Sequence, residues 1–216
     1  MPFIAYSYHQ QRARWQEASD LQLIEAIQGR NEEAFDELIQ RKAGPLVNLA
    51  ARIVGDSEEA RDIVQVAFLR VWEHCDRFNK RWSPNTWIYR IAANLAIDHR
   101  RSKQTRERAI HPGGGLLRRI EDAPQRALID LEEREVSVMF DRLSASLTEK
   151  QRTVFLLRGI EGMSSQEVGE ILGCRASTVR NHLLAARRKL RRELVRLYPE
   201  YAPGAAGDDD EGRADP

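Results

Sequence analysis

Cysteine is scarce in this chain: 216 residues hold only Cys75 and Cys174, far apart in the sequence. No set of Cys and His stands at ligand spacing, which argues against a structural zinc site, and neither metal nor cofactor is expected. Such thiols fit a reducing cytosol. Long apolar runs are also lacking, so no membrane insertion is expected. Residues 1–20 are polar, with Tyr, His and Arg throughout, and show no secretory signal pattern. A phosphate loop and a nucleophile–base set are absent. Asp62 with Glu73, or His74 with Cys75, are the nearest approaches to a catalytic pair, and neither has the spacing or partners that catalysis needs. The chain therefore reads as no enzyme. The formal net charge is only +1, so bulk charge says nothing about partners.

What the chain has is helix punctuation. Leu21, Ile24 and Ile27 recur at helical spacing, and Gly29 ends that turn. Asn31 caps a new helix, with Glu32 and Glu33 where the helix dipole favours acid. Phe35, Leu38 and Ile39 form its apolar face. Pro45 opens a separate apolar stretch with Leu46, Leu49, Ala50 and Ile53. Gly55, Asp56 and Ser57 break and recap the chain. A long apolar face follows, from Ala60 through Ile63, Val64, Ala67, Phe68 and Val71 to Trp72. Ser83 with Pro84 is a strong helix start. The helix it opens carries Trp87, Ile88, Ile91, Ala92, Leu95 and Ala96 and ends basic at Arg100 and Arg101. Trp87 reads as core. Periodicity fades after Ser102. Residues 104–127, with His-Pro-Gly-Gly-Gly from His111 to Gly115, read as a flexible linker. A second helical block begins near Leu128, with capping boxes at Thr148/Gln151 and Ser164/Glu167. After Pro199 the composition turns to Gly, Ala and Asp, an acidic tail expected to be disordered. The fold class is all-α, in two small helical domains.

Charge is unevenly placed. From Lys80 to Arg108 there are eight Lys or Arg against two acids, and from Arg175 to Arg196 eight against one. Two basic blocks fit two nucleic-acid contacts. The second coincides with a motif. A capped helix from Ser164 ends at Gly173, the turn Cys174-Arg175-Ala176 follows, and a second helix starts near Ser177. Gly169 is small where two helices cross, and Val179 points back into the core. This is a helix-turn-helix pattern, whose second helix enters the major groove. Ser177, Thr178, Arg180, Asn181 and Leu184 would face base edges, where Arg suits guanine and Asn suits adenine. Arg187, Arg188, Lys189, Arg191 and Arg192 would serve phosphates.

The first block carries two further motifs. In Asp-Ile-Val-Gln-Val-Ala-Phe-Leu-Arg-Val-Trp, residues 62–72, Asp62, Gln65 and Leu69 share a stripe, and Phe68 and Trp72 are i,i+4 partners. In the helix from Pro84, aromatic residues interleave with Arg and Asn, which suits unstacked bases. Arg90, Asn94, Ile97 and Arg101 fall on one stripe by spacing. Arg90 and Arg101 can meet phosphates, while Asn94 offers a donor and an acceptor to a base edge.

With these motifs in this order, the chain resembles an extracytoplasmic-function sigma factor of the sigma-70 family, over roughly Leu21–Arg101 and Leu131–Leu197. The resemblance implies an N-terminal extension (1–19), sigma domain two (20–103), the linker (104–127), sigma domain four (128–199) and the tail (200–216). It implies core RNA polymerase and promoter DNA as partners, a cytoplasmic location, and an anti-sigma factor that no residue here identifies. Asp62, Gln65 and Trp72 match positions facing the polymerase clamp helices, and Leu69 lies on their stripe. Asn94 matches the pocket for a flipped minus-ten base, closed by the loop from Phe78 to Ser83. Asn79, Lys80, Arg90, Arg100 and Arg101 complete the expected minus-ten set. Arg180 and Asn181 match positions that read the minus-thirty-five element, with Ser177, Thr178, Leu184, Arg187 and Arg188 beside them. The chain departs from the family in several places. Val66 stands where Glu is usual after the clamp-motif Gln. Gly169 replaces Ala, at about 1 kcal/mol in helix propensity. His182 and Ala185 replace Arg. The alternative reading is a helix-turn-helix regulator that acts without joining polymerase.

Overall fold

The fold follows from where the caps stop and restart each helix. A computed structural model describes residues 14–110 and 131–201. Ser19 makes a capping box with Gln22 and opens α1, Asp20–Gln28. Asn31 accepts from the Ala34 N–H at the start of α2, Glu32–Val54. Asp56 accepts from Glu58 and Glu59 N–H groups and opens α3, Ser57–His74. Ser83 Oγ accepts from Thr86 N–H at 3.0 Å at the head of α4, Pro84–Ile110. These helices pack α1 on α2, α2 on α3, and both α2 and α3 on α4. Leu23, Ile24, Leu38, Leu49, Ile53, Val71 and Ile88 are fully buried between them. Each such side chain contributes about 1.5–3 kcal/mol.

The second block contains α5, Leu131–Ser144, α6, Glu149–Val154, α7, Ser165–Leu172, and α8, Ala176–Leu197. The α6 helix widens into a π-helical turn, Phe155–Ile160, before α7. Both predicted capping boxes are formed, at Thr148 and at Ser164. Val154, Leu156, Leu157, Val168, Ile171, Val179 and Ala186 make this block's core. Among the described residues there is no strand.

Three features differ from the sequence reading. Pro45 lies inside α2 and does not start a new helix. A proline there removes one backbone hydrogen bond, yet it is exposed, and Leu38 before it and Leu46 after it are buried in one core. Packing on both sides carries the helix through. The left-handed residue after α1 is Arg30 (φ 61°), and Gly29 keeps φ −80°. Arg30 N–H bonds Ile27 O and Asn31 N–H bonds Ala26 O, a Schellman closure. The backbone cost of roughly 1–2 kcal/mol is offset where the Arg30 guanidinium donates to Trp72 O at 2.8 Å and lies over the Trp72 ring. Finally, α4 continues through Ile110, into the stretch read as linker. Residues 111–127 of that stretch, the expected start near Leu128, most of the N-terminal extension and nearly all of the acidic tail lie outside the described residues.

Candidate polymerase and nucleic-acid interfaces

The outer face of α3 is set by its inner one. Ile63, Val64, Ala67, Phe68 and Val71 are buried. That leaves Asp62 and Gln65 exposed, with Val66 at 41% and Leu69 at 54% exposure between and beyond them. The result is a mixed polar and apolar stripe, and Val66 enlarges its apolar part. Trp72 belongs to it only at one edge. Its ring packs on Phe35 with centroids 5.0 Å apart, and Arg30 covers it.

The loop between α3 and α4 is built by its own side chains. Asn79 Oδ1 accepts from Arg81 N–H at 3.0 Å, and Trp82 N–H donates to Asn79 O at 3.0 Å. Lys80 pairs with Glu25 at 2.6 Å. Phe78 and Trp87 pack beneath the loop with ring centroids 5.4 Å apart, and Trp87 is 6% exposed, so it is core as expected. Arg90 lies over the Trp82 ring, its guanidinium carbon 4.5 Å from the centroid. One turn on, Asn94 is exposed. Its amide makes no hydrogen bond to any described residue. The expected stripe needs one correction: Ile97 is buried, and exposed Asp98 stands between Asn94 and Arg101 on the outward face. A residue four positions on lies closer in rotation than one three positions on. Arg100 turns inward and donates to Ile53 O, capping the end of α2 at 2.7 Å.

The helix-turn-helix is formed by α7, the turn and α8. Gly173 takes φ 65°, the left-handed value the turn requires. On α8, Ser177, Arg180, Asn181, Arg187 and Arg188 are exposed, Thr178 is half-buried, and Leu184 is 51% exposed among them. Lys189, expected at a phosphate, here donates its ammonium to Ser146 O and Gln151 Oε1. Gly169 has a sharper role than a helix crossing. A Cβ at that position would stand 2.6 Å from the backbone oxygen of Cys174, inside the turn itself. Gly169→Ala should therefore lower the urea midpoint, with a net loss of about 1 kcal/mol. Overpacking against fixed backbone costs about 1–3 kcal/mol, and alanine's helix preference returns about 1 kcal/mol. A raised midpoint would show that the turn yields freely.

The two blocks are docked, a feature that sequence reasoning missed. The α4 helix packs on α7. Thr86 Oγ1 donates to Glu167 at 3.2 Å, Tyr89 OH donates to Glu161 at 3.0 Å, and Arg101 donates twice to Glu149. Burial pushes the Tyr89 phenol up, and the Glu161 carboxylate adds to this, so it stays a donor. The Ser164 N–H holds the Glu167 carboxyl below its ordinary value, against partial burial, with help from the Ser164 and Thr86 hydroxyls. A further link is the buried Arg152. Its Nε and Nη2 donate to Arg52 O near the end of α2 at 3.0 and 2.6 Å, and it also binds Ser144 Oγ and Asp141. Arg101, expected at a phosphate, is here paired across the blocks. Among the described residues, no helix is long and apolar enough to cross a membrane.

With this geometry in hand, comparison with known proteins is specific. Residues 38–106 match Sigma-70 region 2, and residues 137–190 match Sigma-70 region 4. The RNA polymerase sigma-H factor of Pseudomonas aeruginosa is 32% identical over 192 residues, covering 84% of this chain and 96% of that protein. The ECF RNA polymerase sigma factor SigW of Bacillus subtilis is 31% identical, over 79% of this chain and 94% of its own. In fold, the chain is similar to CnrH, solved in complex with the cytosolic domain of CnrY, with TM-score 0.63 and 23% identity over 81% of this chain and 96% of CnrH. The chain belongs to the sigma-70 family, as an extracytoplasmic-function RNA polymerase sigma factor.

Proposed function

We propose that the chain joins core RNA polymerase through the outer face of α3, reads the minus-thirty-five element with α8, and holds the melted minus-ten strand at Asn94. The observation that carries this reading is the pairing of two DNA-suited surfaces on one sigma-family chain. One is the exposed Arg180–Asn181 stripe, and the other is the exposed Asn94, which no described residue hydrogen-bonds, beside Arg90. The protein acts without catalysis of its own, in the cytoplasm, by differential binding: duplex contacts place polymerase, and base capture favours the open strand. CnrH was solved with CnrY, and RpoE of Bartonella quintana with the anti-sigma factor NepR, which supports an anti-sigma partner here too. A regulator acting without polymerase would not need the region-two block.

Run-off transcription with purified core polymerase, followed by transcript sequencing, tests the reading directly. Asp62→Lys should weaken core binding roughly tenfold, about 1.4 kcal/mol, and leave the helical circular-dichroism signal intact because Asp62 is exposed. Undiminished pull-down of core would remove α3 from the interface. Within domain four the two kinds of contact should separate. Arg180→Ala should cost about 1–3 kcal/mol and relax preference at one base position. Arg188→Ala should weaken binding on all sequences and reduce the salt slope by about one. Unchanged selection from a randomised upstream element by Arg180→Ala would disqualify α8 as the reader.

A further inference from the structure

The acidic tail is a strongly charged segment to which no role has fallen. Its natural counterpart lies on α8. Arg180, Arg187, Arg188, Arg191 and Arg192 are all exposed there, turned away from buried Val179, Leu183 and Ala186. No described residue pairs with any of these arginines. Glu193, the only acid in α8, pairs with Arg196 at 2.7 Å. The first basic block is different, because Lys80, Arg101 and Lys103 each pair with a glutamate. The arginines of α8 recur at helical spacing, where like charges repel. Such a face fits a partner that brings several negative charges in a row.

The chain carries such a row itself. Asp208, Asp209, Asp210 and Glu211 are consecutive, and the stretch from Ala202 to Gly207 before them holds only Ala, Pro and Gly. An extended chain advances about 3.3–3.6 Å per residue, close to the axial spacing of about 3.4 Å between phosphates of one DNA strand. The short 3-10 turn Pro199–Tyr201 keeps Tyr201 beside the end of α8, with Tyr201 N–H on Tyr198 O at 3.0 Å. From Tyr201, Asp208 can reach up to about 25 Å. Arg188 stands about 14 Å before Leu197 along the helix, so the row can lie over the arginines.

We infer that Asp208–Glu211 folds back onto the arginine face of α8 as a stand-in for phosphates and competes there with duplex DNA. This rests on the assignment of α8 to the duplex. A tether of this length sets an effective concentration of about 1 mM. Against a site of about 0.1 mM, the weak end of non-specific phosphate binding, the tail covers α8 roughly nine-tenths of the time. Apparent affinity for duplex then falls roughly tenfold. The loss is the same on every duplex, so weak binding to unrelated DNA disappears first, while base contacts from Arg180 and Asn181 keep the promoter bound.

The test measures fluorescence anisotropy of two labelled duplexes with the full chain at low salt. One carries a promoter that the holoenzyme transcribes, and the other has unrelated sequence. Asp208→Asn, Asp209→Asn, Asp210→Asn and Glu211→Gln, made together, should tighten binding to both roughly tenfold, and the gain should close as salt rises. Asp208→Glu, Asp209→Glu and Asp210→Glu together keep the charge and should change nothing. Unchanged affinity on neutralisation would overturn the inference. Added positive charge also attracts DNA from a distance, so the deciding step repeats the comparison with Arg191→Gln and Arg192→Gln present. Docking predicts that the gain then shrinks to roughly threefold or less. An undiminished gain would make the tail a long-range repulsive charge and defeat the docking. A gain that grows with protein concentration would seat the tail on a second copy, and the fold-back would be wrong. If Arg187→Gln with Arg188→Gln leaves duplex affinity unchanged in the neutral-tail protein, α8 is not the DNA surface. The duplex assignment itself then fails, and the inference with it.

Discussion

Arg152→Ala should cost about 3 kcal/mol of stability, the largest loss expected from any single change argued for this protein. The residue is only 7% exposed, although it carries a full charge. Its guanidinium donates to the Arg52 carbonyl twice, to Ser144 Oγ and to Asp141, and lies 5.2 Å from the centre of the Phe140 ring. Alanine removes the donors and leaves the acceptors where they are. The Arg52 carbonyl and the buried Ser144 hydroxyl each lose a partner, at about 1–3 kcal/mol per group. Asp141 regains water more cheaply, since its side chain is 47% exposed. Lysine should restore less than half of the loss, because a single ammonium cannot bridge three separate acceptors with the geometry of a planar fork. Thermal melting of the three proteins measures this. Hydrogen exchange should also rise at the end of α2, where the Arg52 carbonyl belongs to the other block. A loss below about 0.5 kcal/mol, the size of an ordinary surface change, would show that Arg152 is held by the docking and does not hold it.

The helix caps were legible in the sequence, and Arg152 was not. A cap is a local event, in which Asn31, Asp56, Thr148 or Ser164 reaches an N–H two or three residues away. Residue type and spacing specify that contact completely. Arg152 meets a carbonyl one hundred positions earlier, and no pattern within either block signals it. The same distinction divides the candidate sites. The exposed positions on α8 followed from the phase set by Val179. Lys189 looked like its basic neighbours, and only the fold brought Ser146 and Gln151 to it. Arg100 likewise meets the end of α2, a contact that no local pattern announces. Pro45 shows the converse case. A local start signal is overruled because buried leucines on both sides belong to one core.

Asn94→Ala should leave the free protein folded and the holoenzyme assembled, yet impair strand opening by roughly 5- to 150-fold. The structural half of this expectation comes from its surroundings. Asn94 is exposed, and no described residue hydrogen-bonds its amide. An asparagine serving as a cap inside domain two would be partnered and sheltered. Alanine is also the better helix former, by roughly half a kcal/mol, so the melting temperature should hold or rise slightly. The functional half comes from what the amide offers. It presents a donor and an acceptor together, enough to pair with the edge of one base. Losing that pairing leaves the captured base unsatisfied at about 1–3 kcal/mol, which sets the fold-change given above. The loss falls on the open state alone, because the closed duplex keeps its bases paired to each other. Engagement of duplex promoter should therefore be normal. Permanganate reactivity across the minus-ten region should drop, and a pre-melted template should restore it only in part, since the exposed base still finds no partner. Normal permanganate reactivity together with a melting temperature several degrees lower would assign Asn94 to the fold and remove it from base capture.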